Sequence, residues 1–121
     1  MELNLKEVSE ILSRFYSDTG EERCGFIYRA GFCIDEVKNI SGSPQDSFRI
    51  STYEIRKYTE DLKAQATWHT HPSASSNLSG EDHKAFKSYP ELIHFIIGND
   101  GVKAYQYCKE KKVILELSVS P

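Results

Sequence analysis

The sequence predicts a single domain of mixed α/β (α+β) class, and three observations carry that expectation. A length of 121 residues allows one core layered on a sheet and no second folded unit. Apolar residues recur at helical spacing in the first twenty positions and again between 51 and 63, where a period of 3.6 fits better than a period of 2. Around those stretches stand short β-branched and aromatic runs bounded by turn residues, the pattern of strands.

Taken in order, Leu5, Val8, Ile11, Leu12 and Phe15 share one face of a helix expected over 5–17, with Asn4 as its N-cap and Asp18-Thr19-Gly20 as its stop. Cys24–Tyr28 and Phe32–Asn39 read as two strands joined through Ala30-Gly31 in a hairpin. After the loop Ser41-Gly42-Ser43-Pro44, Phe48-Arg49-Ile50 reads as a short strand. Ser51 or Thr52 then caps a helix running to about Lys63, with Tyr53, Ile55, Tyr58 and Leu62 as its apolar positions. Ala64–Thr70 reads as a strand, Pro72 and the small polar residues 73–78 as a loop, and Ser79 as the start of a short helix toward Ser88. Leu92–Ile97 and Val102–Tyr107 flank the turn Asn99-Asp100-Gly101, and Val113–Val119 is a final strand.

Composition narrows the class of function. Hydrophobic residues at 39% and charged residues at 27% fit a globular chain rather than a disordered one. A net charge of -3 argues against a nucleic-acid partner, since the one basic cluster, Lys109–Lys112, is interrupted by Glu110. The amino terminus lacks a positive region followed by an apolar stretch. The apolar run 92–97 is far too short to span a bilayer. Cys24, Cys33 and Cys108 are odd in number and form no Cys-x-x-Cys, which suits reduced thiols and a cytoplasmic protein. Oligomeric state is left open.

The chemistry concentrates in one stretch: His69-Thr70-His71, seven residues, Ser79, two residues, Asp82. Hydrolytic zinc sites take three protein ligands from His, Asp or Glu and keep a fourth position for water, whose pKa falls to about 7. On a strand His69 and His71 point to one side, Trp68 and Thr70 to the other, and a helix starting at Ser79 brings the Asp82 carboxylate back to them. A base is also needed. Glu22, just before the Cys24–Tyr28 strand, fits best, with Glu21 as rival, and Ser79 would donate to a developing oxyanion. Trp68 is either core or a wall of the substrate groove. Glu81, His83 and His94 read as surface or structural groups, and Cys24 as a buried thiol.

Glu22, His69, His71, Ser79 and Asp82 in this order and spacing resemble the signature of the JAMM (JAB1/MPN) zinc metallopeptidases. The resemblance implies the JAB1/MPN, cytidine-deaminase-like fold, a curved mixed sheet flanked by helices. It implies Zn2+ held by His69, His71 and Asp82, water activated by Glu22, and a transition state steadied by Ser79. The activity implied is hydrolysis of a peptide or isopeptide bond, deubiquitinase-like, at the C-terminal tail of a ubiquitin-like or other partner protein. The Glu-x-Cys-Gly-Phe-Ile and Trp-His-Thr-His-Pro segments look most like minimal bacterial and phage JAB-type members, although Thr70 stands where Ser is usual. The long insertions with which eukaryotic members grip ubiquitin are lacking, which argues against ubiquitin itself.

Blander readings compete with this one. Ser79 with Asp82 is also a capping-box pattern found without any metal, and His-x-His on a strand is compatible with two hydrogen-bonded imidazoles. At the level of function, the alternatives are a phage tail-assembly or cell-wall-associated protein and a non-catalytic MPN scaffold. Such scaffolds usually lose ligands, whereas all five positions are intact. Other zinc hydrolases fit worse: there is no His-x-His-x-Asp-His, no Pro-Cys-x-x-Cys and no His-Glu-x-x-His.

Overall fold

The computed structural model describes residues 2–119. Its elements run α1 (Leu5–Leu12), β1 (Cys24–Tyr28), β2 (Cys33–Val37), α2 (Thr52–Arg56), β3 (Ala66–Thr70), α3 (Gly80–Ser88), β4 (Ile93–Gly98), β5 (Gly101–Cys108) and β6 (Val113–Leu117). The six strands form one mixed sheet in the order β2-β1-β3-β4-β5-β6. Only β3 and β4 are parallel, because the chain crosses between them through α3 and so re-enters the sheet in the same direction. The expected class is therefore the observed one.

Side-chain alternation sorts the sheet residues into two faces. On one face Ile27, Ala66, Trp68, Phe95, Ile97 and Ala104 pack with Val8 and Leu12 of α1. On the other, Cys24 and Phe26 pack with Tyr58 after α2, and Ile96 and Tyr105 pack with Phe86 of α3. The layers are thus α1, sheet, then α2 with α3. Helix α1 begins where the sequence places it, with Asn4 Oδ1 accepting from the Glu7 N–H at 3.1 Å. It ends early, tightening into a 3-10 turn over Ser13–Phe15, and Phe15 reaches the Trp68 ring at 4.9 Å. Helix α2 is likewise regular for only one turn and widens into a π turn over Lys57–Asp61. That wider turn seats the Tyr58 ring flat on Phe26 at 4.6 Å and its hydroxyl on Asp35 at 2.7 Å.

One local expectation is confirmed and one corrected. The β1–β2 hairpin forms as expected, its short connection a 3-10 turn over Arg29–Gly31 with Arg29 and Ala30 at positive φ. Residues 48–50 do not form a strand. The Asn39 side chain replaces a ladder partner there, its Oδ1 accepting from the Ser41 and Arg49 N–H groups.

Gly25 shows how tightly β1 is built. It pairs with Trp68 across β3 and with Glu36 across β2, and the Trp68 indole lies over it to donate to the Asp35 carbonyl at 3.2 Å. A methyl group at position 25 would overlap both that carbonyl and the indole. Gly25→Ala is expected to cost about 3 kcal/mol or more, because overpacking against backbone cannot be relieved by a rotamer change. A urea midpoint within error of the wild-type value would contradict this.

Candidate metal centre

Strand register assembles the site. Cys24 lies opposite His69 in the antiparallel β1–β3 pair, and the pairing continues past the strand ends, with Arg23 and Thr70 exchanging Thr70 N–H to Arg23 O at 2.9 Å and Arg23 N–H to Thr70 Oγ1 at 2.9 Å. Two residues before Cys24, on the face it shares with His69, comes Glu22, and two residues past His69 comes His71. Glu22, His69 and His71 each bring a ligand atom within 4.8 Å of the others. The backbone of Glu22 is held on both sides, its N–H donating to Pro44 O at 2.7 Å and its carbonyl accepting from Asn39 Nδ2 at 2.9 Å.

The fourth group arrives from α3. Ser79 caps that helix, with Oγ accepting from the Asp82 N–H at 3.1 Å and the Asp82 carboxylate accepting from the Ser79 N–H at 3.1 Å. The capping box therefore aims Asp82 at the end of β3, where its two oxygens lie 3.0 Å from His69 Nε2 and 3.1 Å from His71 Nε2. The two Nε2 atoms are 3.1 Å apart. Capping and convergence are one arrangement, not rival ones.

Hydrogen bonding fixes what these atoms can do. His71 Nδ1 lies 2.8 Å from the Ser75 carbonyl, so it carries a proton, and Nε2 is the nitrogen turned to Asp82, donating to the carboxylate when protonated and offering a lone pair to a cation when not. The Ser75 carbonyl is held in turn, because Asp100 accepts from both the N–H and the hydroxyl of Ser76 at 2.8 Å, and the Tyr105 hydroxyl donates to Ser76 O. His69 is fully buried and is oriented by packing, with Phe48 stacked at 4.4 Å and Phe86 edge-on at 6.1 Å. Three electron-rich atoms within about 3 Å of one another repel unless a proton or a cation lies among them. Two imidazole nitrogens and a carboxylate are a donor set that suits a divalent zinc ion.

The protonation equilibria follow the same geometry. Burial pushes Glu22 up to about 7, assisted by the negative charges of Asp82, Glu81 and Asp46 and opposed by His71. Burial would raise Asp82 as well, but hydrogen bonds from His69, His71 and the Ser79 N–H outweigh it and hold the carboxyl well below its usual range. Burial lowers His69. It would also lower His71, where Asp82 and the Ser75 carbonyl prevail and raise it. Cys24 is pushed up to about 12 by burial, consistent with an inert thiol.

Trp68 is corrected as a groove residue. It is 1% exposed and packs on the α1 side of the sheet, the face opposite the histidines. Ser79 is exposed, and with Glu22 and Asp82 it lines a cleft of about 340 Å3. Glu21 and His83 are exposed. His94 is structural: its ring stacks on Phe86 at 4.2 Å, Nε2 donates to Tyr89 O at 3.1 Å, and Nδ1 accepts from Thr67 Oγ1 at 2.7 Å. Asn39, Phe48 and Asp100, which hold Glu22, His69 and the His71 loop, are not marked by any sequence spacing.

His94 gives an acid-stability prediction. Burial pushes its pKa down to about 4, below the roughly 6.5 of an unfolded histidine, so the unfolded chain binds the extra proton. Its contribution is fully present above pH 6.5 and is lost as pH falls toward 4, about 3 kcal/mol at most. Urea unfolding at pH 7 and pH 4.5 should show that loss in the wild type and a smaller one in His94→Gln. Equal slopes for the two proteins would refute the assignment.

No family model matches the sequence, and no curated protein matches it. Solved structures do. Protein DSY2949 from Desulfitobacterium hafniense, determined in solution, is 21% identical with a TM-score of 0.68, over 93% of this chain and 87% of that one. AF2198, a JAB1/MPN domain protein from Archaeoglobus fulgidus, is 20% identical with a TM-score of 0.56, over 98% of this chain and 97% of that one. The mixed six-stranded sheet and its flanking helices are thus the fold of a JAB1/MPN domain.

Proposed function

We propose that the chain is a JAMM-type zinc metallopeptidase that hydrolyses a peptide or isopeptide bond, at the C-terminal tail of a ubiquitin-like or other partner protein. The convergence of His69 Nε2, His71 Nε2 and the Asp82 carboxylate within 3.0–3.1 Å, beside a buried Glu22, carries the reading. In it His69, His71 and Asp82 hold the ion. Zinc bound there would act as a Lewis acid on the scissile carbonyl and lower the pKa of the attacking water.

The remaining work falls to the chain. Glu22 takes a proton from water as the oxygen attacks the carbonyl carbon, and returns it to the departing nitrogen as the C–N bond breaks. A carboxyl with a pKa of about 7 suits both halves of that transfer near neutrality. The Ser79 hydroxyl accepts from the Asp82 N–H and keeps its own proton to donate to the oxyanion. Asn39 and Pro44 hold Glu22 by its backbone, so the base stays in place as its charge changes.

Metal analysis of purified protein, paired with a panel of C-terminally extended ubiquitin-like fusions, isopeptide-linked conjugates and cell-wall peptides, tests the reading. One zinc per chain and cleavage abolished by a chelator and restored by zinc are expected. A protein that neither binds zinc nor cuts any member of the panel would overturn it.

A further inference from the structure

The cleft that Glu22, Ser79 and Asp82 line extends away from them along the sheet. Phe26, Thr67 and His94 form a row across β1, β3 and β4, next to the row of Cys24, His69 and Ile96. Two residues of strand separate the rows, about 7 Å. The first row lines the cleft on its sheet side, together with Phe48, Ile50, Ile55, Ala85, Phe86 and Leu92. The cavity therefore begins at the proposed scissile bond and ends about one side-chain length away.

Apart from Glu22 and the Tyr89 hydroxyl, its polar side chains are paired or exposed. On the sheet side, Thr67 and His94 hydrogen-bond each other and His94 also donates to Tyr89 O, while burial keeps His94 neutral near pH 7. Asp46, Glu81 and Arg49 line the cleft but are exposed, so they stand at its opening. A charged side chain reaching past these groups would lose its water against the apolar walls. At about 340 Å3 the space is at the small end of ligand sites, too small for a folded segment.

We propose that this cleft is a specificity pocket for one bulky apolar side chain, of leucine to phenylalanine size, next to the bond that is cut; the proposal rests on the metallopeptidase reading. Such a substrate differs from a tail with glycine at that position, which would leave the pocket unfilled. Burial of a leucine-sized side chain there favours binding by about 10- to 150-fold over alanine.

The test uses the full chain labelled with 15N and titrated with N-acetyl-leucinamide and with N-acetyl-alaninamide. The leucine amide should bind at least about tenfold more tightly, with shifts centred on Ile55, Ala85, Phe86 and Leu92, and Ala85→Trp should abolish the difference by filling the space. If that variant does not fold, the affinity ratio and the shift map of the wild type decide. Equal affinities, shifts centred elsewhere, or no saturable shift with either amide would overturn the pocket. Neither zinc nor turnover enters this measurement. A zinc-free, inactive protein that still prefers the leucine amide would sink the metallopeptidase reading and leave the pocket standing.

Discussion

Glu22→Gln lowers kcat/KM by about 10^2- to 10^4-fold, the usual contribution of a positioned general base, while the zinc content stays at one per chain. The amide keeps the shape of the carboxylate, and the backbone bonds to Pro44 and Asn39 are untouched, but it cannot take a proton. Glu21→Gln, an exposed change one residue away, leaves the rate unaltered. Glu22→Gln should also stabilise the metal-free protein, which separates a catalytic carboxylate from a structural one. A glutamate lifted to about 7 by burial binds a proton more tightly folded than unfolded, where its pKa is near 4.5. Folding is therefore opposed as pH rises from 4.5 through 7, by about 3 kcal/mol once both states are ionised. Metal-free Glu22→Gln should melt higher than the wild type at pH 8 and at nearly the same temperature at pH 4. If Glu22→Gln retains full activity, or if it destabilises the metal-free chain at pH 8, Glu22 is not the base.

The parts of this site that sequence reveals are those set by short-range geometry. His69 and His71 share a side because a strand alternates with period 2, and Asp82 returns to them because Ser79 at the N-cap fixes the first turn of α3. The same alternation places Trp68 on the far face, so of its two readings, core and groove wall, only the core one agrees with the rule that paired the histidines. Glu22 needed tertiary information: its place opposite His71 follows from the Cys24–His69 register, which spacing alone does not determine. Phe48-Arg49-Ile50 has strand composition, yet the Asn39 side chain captures its backbone, a long-range hydrogen bond with no local signature. Asp100 lies in a predicted turn and gave no hint that it braces the loop behind His71. The helices were found where their caps are, and their shortened or widened ends came from packing, with Phe15 turned toward Trp68 and Tyr58 onto Phe26.

Zinc at a thousandfold excess over its Kd should stabilise the chain by about 4 kcal/mol, if it binds only the folded state. For a domain of this size the melting temperature would rise by about 10–20 °C. The ligand variants should then divide by what each side chain does without metal. His71 is half-buried beyond the end of β3, so His71→Ala should remove the zinc-dependent shift at a cost of about 1 kcal/mol or less to the metal-free protein. His69 is fully buried between Phe48 and Phe86, so His69→Ala should remove the shift and also cost about 2–4 kcal/mol through the cavity it leaves. Protons compete for the same lone pairs. Because the pKa of His71 is raised in the metal-free fold, the zinc-dependent shift should be larger at high pH and should shrink as pH falls through that raised value. Differential scanning calorimetry of the three proteins, with zinc and with chelator, at pH 8 and pH 5.5, reads all of these at once. A zinc shift that survives His71→Ala, or one as large at pH 5.5 as at pH 8, would show that the ion is not held by the imidazoles at the end of β3.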